Sequence, residues 1–103
     1  VCIGTDTYLI ELEKWDKADR EAAKKLPSKL AENPFVGGQL SYPFLREKRI
    51  TGKRVYYLIY EDLKLVLLVA TSRKKYQQAT MGHIKSQLDE YKKIAEEIAR
   101  QVS

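Results

Sequence analysis

The chain has very few of the residues that build metal sites and disulfides. Its 103 residues include one cysteine, Cys2, and one histidine, His83. A single cysteine excludes a disulfide within this chain and a cysteine-rich zinc site, and no metal-ligand spacing involves the lone histidine. Cys2 is interpreted as a minor packing residue in a reducing compartment. We therefore expect neither a metal nor another cofactor.

Long apolar runs and leader-like segments are also missing. The longest apolar run extends from Leu65 to Ala70, whereas a membrane-spanning helix needs about 20 such residues. The first residues contain no basic segment followed by an apolar stretch, so no signal peptide is expected. These absences predict a cytoplasmic protein that makes no membrane contact.

Glycine-rich phosphate loops and the serine nucleophile motif are absent as well. The sequence has no P-loop, no GxGxxG and no GxSxG, the spacings that cradle phosphates or present a reactive serine. Gly37 and Gly38 are adjacent, but no Lys-Ser or Lys-Thr pair follows them, so they predict a turn.

The chain does contain enough apolar material for one modest core. Apolar residues make up 44% of it and charged residues 32%, so extensive disorder is not expected. This length predicts a single domain over residues 1–103.

Basic residues are concentrated in two short segments. Residues 46–54 carry a charge of +4 and residues 73–75 a charge of +3, so together they exceed the net charge of +5. The basic residues of both segments are Arg46, Lys48, Arg49, Lys53, Arg54, Arg73, Lys74 and Lys75. Basic clusters that meet in space bind polyanions, and the alternative is a solvated charged surface.

The first half of the chain predicts a short strand followed by helices. Tyr8 to Leu12 has the composition of an opening strand. From Glu13 to Lys25, apolar residues recur at helical spacing. Pro27 interrupts this face and predicts the start of a short second helix that reaches Glu32. A loop is expected over Phe35 to Pro43.

The second half predicts an antiparallel meander. Strands are expected over Phe44 to Ile50, Val55 to Tyr60 and Leu65 to Ala70, with Thr51-Gly52 as the first turn. The third strand is apolar on both faces, so it should be central and covered on both sides. The order β-α-α-β-β-β-α, with helices before and after a small antiparallel sheet, predicts an α+β fold.

The C-terminal residues predict one long helix. Apolar residues follow a four- and three-residue spacing from Ile84 to Val102. This seam favours packing of the helix across the sheet. The alternative is a contact with a second copy of the chain in a homodimer.

The basic hairpin is the best candidate for chemistry. If the third strand pairs with the second, its end lies beside Arg54, and both basic segments converge on one cationic concavity. Fixed guanidinium groups there would stabilise the charge that develops when a ribose 2′-OH attacks the adjacent phosphate. Glu47 is the one acid in the cluster and the easiest general base, with a salt bridge to Lys48 or Arg49 as its alternative role.

Two further residues have side chains that suit RNA chemistry. Tyr76 follows the second basic segment and is suited to stack on an unpaired base, or else it is an ordinary packed or surface aromatic. His83 is interpreted as an exposed residue at the start of the last helix, with general acid or base catalysis as the alternative.

The arrangement of these motifs resembles the RelE/ParE superfamily of toxins from toxin–antitoxin systems. The family pattern is a basic strand, a glycine turn, an arginine that opens the next strand, an apolar strand and a basic segment before the C-terminal helix. The resemblance extends from about Tyr8 to Lys75 and is carried by Trp15, Asn33-Pro34 and the segments 46–57 and 69–75. It implies a RelE-like fold.

The resemblance also implies an activity, partners and residue roles. It implies a toxin that enters the ribosomal A site, cleaves mRNA without a metal and is neutralised by a small cognate antitoxin. Arg54 matches the arginine that stabilises the cleaved phosphate, and Lys74 (or Arg73) matches the arginine after the last strand. Lys48 lies on the strand that carries the catalytic lysines of RelE, and Glu47 resembles the glutamate base of the YoeB branch. The residues expected to bind RNA are Arg46, Arg49, Lys53, Arg73, Lys75 and Tyr76.

Two positions depart from the family pattern. The tyrosine that stacks on the mRNA base in RelE corresponds by spacing to Thr80, and the histidine of YoeB- and HigB-type members corresponds to Ser72 and Arg73. Two alternatives therefore stay open. One is a catalytically degenerate RelE-fold protein that binds RNA or a partner protein, and the other is a ParE-like toxin that binds gyrase.

Overall fold

The computed structural model describes residues 1–102, which form one five-stranded sheet with helices on both faces. In chain order the elements are β1 (Cys2–Gly4), α1 (Asp6–Glu13), α2 (Lys17–Lys24), α3 (Leu26–Glu32), β2 (Gly38–Gln39), β3 (Leu45–Ile50), β4 (Lys53–Tyr60), β5 (Leu65–Arg73), α4 (Gln77–Ser86) and α5 (Leu88–Val102). Short 3-10 turns connect several of them. The predicted α+β fold is confirmed.

The strand order of the sheet is β1-β5-β4-β3-β2. β1 runs parallel to β5, with Cys2 opposite Val66, and the other neighbours are antiparallel. The β3–β4 and β4–β5 connections each place one residue in the left-handed region, Thr51 with φ 56° and Lys64 with φ 52°. The predicted meander of three strands is confirmed, and β1 and β2 extend it on either side.

The predicted opening strand over Tyr8 to Leu12 is wrong, because these residues lie within α1. The side chain of Thr5 accepts a hydrogen bond from the Tyr8 N–H at 3.2 Å and starts the helix there. The strand formed by this part of the chain is β1, which precedes that cap.

The predicted helix over Glu13 to Lys25 starts later than expected, because Asp16 caps α2. The Asp16 carboxylate accepts the Asp19 N–H at 2.9 Å. The predicted second helix is confirmed as α3, which has Pro27 in its first turn. The expected loop over Phe35 to Pro43 also contains the two-residue edge strand β2.

The sheet separates two apolar clusters. One face packs against α1–α3 through residues such as Tyr8, Leu30 and Tyr57. The other face packs against α4 and α5 through residues such as Leu58 and Ile84. Leu65 to Ala70 of β5 is buried throughout, which confirms a central strand covered on both sides.

The C-terminal seam packs on the sheet, as predicted, but in two helices rather than one. Ile84 and Ala95 are fully buried, while Val102 at the end of the seam is 59% exposed. The Gln87 N–H donates a hydrogen bond to the Ile84 carbonyl, three residues earlier, at 3.0 Å. This 3-10 type bond replaces the usual four-residue spacing, and α4 ends there. The seam proposed as a contact with a second copy is thus mostly used within the chain.

Every helix among residues 1–102 is too short or too polar to cross a membrane.

Candidate nucleic-acid site

Strand alternation divides the basic hairpin between the two faces of the sheet. β3 and β4 pair without a bulge, with Glu47 opposite Tyr56 and Arg49 opposite Arg54. Because neighbouring side chains point to opposite faces, Glu47 and Arg49 share the α4 face, and Lys48 lies on the α1–α3 face. The expected single concavity therefore forms from only part of the predicted cluster.

Glu47 and Arg54 form a buried ion pair beneath the start of α4. Arg54 Nε lies 3.8 Å from Glu47 Oε2, and Arg49 Nε lies 3.6 Å from Glu47 Oε1. Gln77 at the start of α4 donates a hydrogen bond to Glu47 Oε2 at 2.9 Å. Glu47 is 7% exposed and Arg54 is 5% exposed, so both are largely removed from water.

The pairing of Arg54 is incomplete. Its Nε is buried and has no hydrogen-bond partner among residues 1–102, since 3.8 Å to Glu47 is too long for one. A buried guanidinium N–H without an acceptor is costly, and such groups in proteins call for a functional explanation. An anionic oxygen at this position would satisfy it.

A tyrosine–serine pair borders the same cluster. Tyr56 OH and Ser72 Oγ are 2.8 Å apart, and Ser72 lies opposite Arg54 in the β4–β5 pairing. Burial, more than the nearby Glu47 charge, raises the pKa of Tyr56, so its hydroxyl stays protonated at neutral pH. The sequence analysis missed Tyr56, Ser72 and Gln77 as site residues. The two-residue spacing from Arg54 to Tyr56 was a usable signal, whereas no local pattern indicated Gln77.

Arg46 and Lys53, which were expected to bind RNA, have partners within the protein on the α1–α3 side. Arg46 donates to the carbonyls of Pro43, Phe35 and Gly37, and its guanidinium lies 5.1 Å from the Phe35 ring centre. Lys53 donates a hydrogen bond to Asp19. Together with Lys48, these residues are not brought to Arg54.

The second basic segment forms an exposed rim at the C-terminal end of β5. Arg73, Lys74 and Lys75 are all exposed, and Lys75 Nζ lies 5.1 Å from the centre of the Tyr76 ring. Arg73 lies opposite Lys53 in the β4–β5 pairing. These residues are therefore available to a polyanion that approaches this end of the sheet.

No three His, Cys, Asp or Glu side chains within residues 1–102 are grouped so as to hold a metal ion. The residues that meet here are instead one carboxylate, two guanidinium groups, two hydroxyls and an amide. This donor set suits recognition of an anion and proton transfer at a bound hydroxyl.

The five-stranded α+β fold of this chain is similar to the folds of solved toxins from toxin–antitoxin systems. The chain has the RelE fold. A mutant of the Escherichia coli toxin RelE in the free state has a TM-score of 0.68 at 18% identity, covering 82% of this chain and 94% of that one. The intact E. coli RelBE toxin–antitoxin complex gives 0.61 at 20% identity, covering 70% and 93%.

A second species contributes a further match. The RelBE2 toxin–antitoxin complex from Mycobacterium tuberculosis has a TM-score of 0.63 at 19% identity, covering 72% of this chain and 90% of that one. No protein-family model matches the chain, and no curated protein matches it in sequence. At these identities the likeness establishes the fold alone.

Proposed function

We propose that this protein is a RelE-like toxin that cleaves mRNA on the ribosome and so inhibits translation. The observation that carries the proposal is the buried Arg54, whose Nε lacks a hydrogen-bond acceptor beside the Glu47 carboxylate. The RelE fold supports it, because the site lies on a sheet of that fold.

The proposed reaction needs no metal. Glu47 takes the proton from a ribose 2′-OH, and the 2′-oxygen forms a bond to the adjacent phosphorus. The bond from phosphorus to the 5′-oxygen breaks, leaving a 2′,3′-cyclic phosphate and a 5′-hydroxyl. Arg54 stabilises the negative charge of the transition state through its guanidinium. Lys74 on the exposed rim donates the proton that the 5′-oxygen requires.

Arg49 and Gln77 have defined parts in this proposal, and Lys48 has none. Arg49 binds a neighbouring phosphate, because its side chain is 71% exposed on the same face. In the free chain the Gln77 amide donates a hydrogen bond to Glu47 Oε2. When RNA binds, the ribose 2′-OH takes the place of that amide. Lys48 has no catalytic part, because it lies on the opposite face of the sheet.

The partners proposed for this chain are the ribosomal A site with its mRNA, in the cytoplasm, and a cognate antitoxin. Two of the similar structures are toxin–antitoxin complexes, which supports an antitoxin that covers part of this surface. Neutralisation by such a partner is expected because a free mRNA-cleaving toxin would arrest growth.

Primer extension on a defined mRNA in a translating extract tests the proposal. The wild-type chain should produce stops within A-site codons, and Arg54→Ala should weaken them by about 100-fold or more, as loss of a transition-state charge donor does. Arg20→Ala on α2 is the matched control and should cut like the wild type. Glu47→Gln, which keeps the side-chain volume, should also lose cleavage.

Two outcomes contradict the proposal in different ways. Stops that persist in Arg54→Ala would remove Arg54 from the chemistry. If a folded wild-type chain produces no stops, the protein would bind RNA without cleaving it. This is the second candidate function, and the absence of the family histidine at Ser72 and of the family tyrosine at Thr80 favours it. Salt-sensitive RNA binding without products identifies that case, and a supercoiling assay identifies a gyrase-binding toxin.

A further inference from the structure

A polar cleft lies at the open edge of β5, between α1 and α4. β1 pairs with β5 only over residues 66–68, so the outer edge of β5 has no neighbouring strand beyond Leu68. The cleft has a volume of about 390 Å³, and its polar lining includes Glu11, Thr71, Tyr76, Thr80, His83 and Tyr91. The proposed cleavage reaction uses none of these side chains.

The Glu11 carboxylate is held in place at the cleft wall. The Thr71 N–H of β5 donates to Glu11 Oε1 at 3.2 Å, and Oε2 is the second acceptor of the same group. Burial raises the pKa of Glu11, while the Thr71 N–H and the charges of Lys14 and His83 act in the opposite direction. The ionised carboxylate offers acceptors and no donor.

We propose that this cleft binds one nucleobase of the RNA and favours guanine, which rests on the proposed RNA-directed function. Guanine presents two adjacent donors on its Watson–Crick edge, N1–H and the N2 amino group, and these match one carboxylate. Adenine and cytosine each place a ring-nitrogen acceptor beside their single amino group, and uracil has one N–H between two carbonyls. An acceptor-only side chain at a fixed position therefore selects guanine.

Tyr76 supplies the stacking surface that such a site needs. Tyr76 is 54% exposed and lines the cleft. Unpaired bases stack on aromatic rings of this kind. Lys75 Nζ lies over one face of this ring, 5.1 Å from its centre, so a base would stack on the other face, and the ammonium group would attract the phosphate of the same nucleotide.

The position of the cleft fits a nucleotide close to the cleavage site. Thr71 is adjacent to Ser72, and Ser72 lies opposite Arg54 on the next strand. Neighbouring strands are about 4.8 Å apart, so the backbones of Thr71 and Arg54 are close. The Thr71 side chain points to the α1–α3 face and Arg54 to the α4 face, so a nucleotide of the same RNA would reach the cleft around the open edge of β5. Base selection there would set which codons are cut.

The test is a titration of the ¹⁵N-labelled full chain with the 5′-monophosphates of guanosine, adenosine, cytidine and uridine. GMP should bind about tenfold more tightly than the others and shift the amide signals of Glu11, Thr71 and Thr80. Glu11→Gln keeps volume and an acceptor for the Thr71 N–H but adds a donor, so it should abolish the preference. Glu13→Gln, an exposed change of the same charge on the same helix, should retain it.

Equal binding of the four nucleotides by the wild-type chain, or shifts confined to other regions, would overturn the proposal without any variant. A guanine preference that survives in a folded Glu11→Gln chain would also overturn it. Because neither ribosomes nor cleavage enter this test, its result is separate from that of the proposed function. An Arg54→Ala chain whose folding is confirmed by its amide spectrum should lose cleavage and keep the guanine preference.

Discussion

Arg54 of β4 and Glu47 of β3 are diagonal neighbours on one face of the sheet and form a buried ion pair, with Nε and Oε2 3.8 Å apart. The two charges stabilise each other, but neither is fully satisfied within the pair. Glu47 also accepts a hydrogen bond from Gln77 and forms an ion pair with Arg49. Arg54 Nε has no hydrogen-bond acceptor. A site arranged in this way is suited to take up a phosphate, and it makes the fold sensitive to loss of either partner.

Removing Glu47 should destabilise the protein. Glu47→Ala leaves Arg54 charged and buried without its partner, and breaking a buried pair costs about 3 kcal/mol. Urea unfolding measures this loss. The control is Glu90→Ala on α5, which removes an exposed pair with Lys93 and should change the free energy of unfolding by less than about 1 kcal/mol. Equal small effects of both changes would mean that the Glu47–Arg54 pair contributes little.

Neighbouring residues of β3 should differ in their contribution to RNA binding. Arg49→Ala removes a phosphate contact on the α4 face, so the log–log salt dependence of binding to single-stranded RNA should fall by about 0.7. Lys48→Ala, which removes the same charge from the opposite face, should leave that slope unchanged. A filter-binding series at several salt concentrations measures both, and equal slopes for the two variants would contradict the placement of the site.

The contributions of the Tyr56 and Ser72 hydroxyls to stability should depend on each other. Tyr56→Phe removes the hydroxyl and keeps the ring in the core, so it should lower the free energy of unfolding by about 1 kcal/mol. Ser72→Ala should have a similar effect, and the double variant should cost little more than either alone. Fully additive losses in a double-mutant cycle would show that the two hydroxyls do not depend on each other.

Asp19 should make stability depend on pH on the acid side. The hydrogen bond from Lys53 is the main cause that lowers the pKa of Asp19 below its ordinary 3.8. A lowered folded-state pKa gives stability that is complete above the unfolded pKa and is lost as pH falls through the folded one. Asp19→Asn should therefore be less stable than the wild type at neutral pH. The difference should shrink as the pH falls below 3.8 and through the lowered folded-state pKa of Asp19, and a difference that stays constant on acidification would refute the assignment.

The β3–β4 hairpin was predictable because turn residues and β-prone residues agree there. Glycine follows a threonine at the turn, and the pairing register follows from it. The direction of Glu47 was not predictable, because a shift of one residue in register would turn it to the other face. Its partner Gln77 comes from α4, far along the chain, and no pattern in the sequence links the two.

The error at α1 has a physical cause. Leu9 and Ile10 are about half exposed, at 48% and 57%, so the apolar residues of α1 do not mark a single buried face. Because the apolar residues of Tyr8 to Leu12 do not repeat at helical spacing, this segment has the sequence pattern of a strand. The cap at Thr5, rather than periodicity, starts the helix. The break at Gln87 was equally hidden, because neither glycine nor proline marks it.

The parallel pairing of β1 with β5 has a consequence for synthesis of the chain. Cys2 pairs with Val66, so β1 can join the sheet only when β5, the last of the five strands in chain order, is present. Contacts between residues so distant in sequence slow folding. The sheet that carries Arg54 is therefore completed only after β5 has left the ribosome that makes it, and the nascent chain lacks the finished site until then.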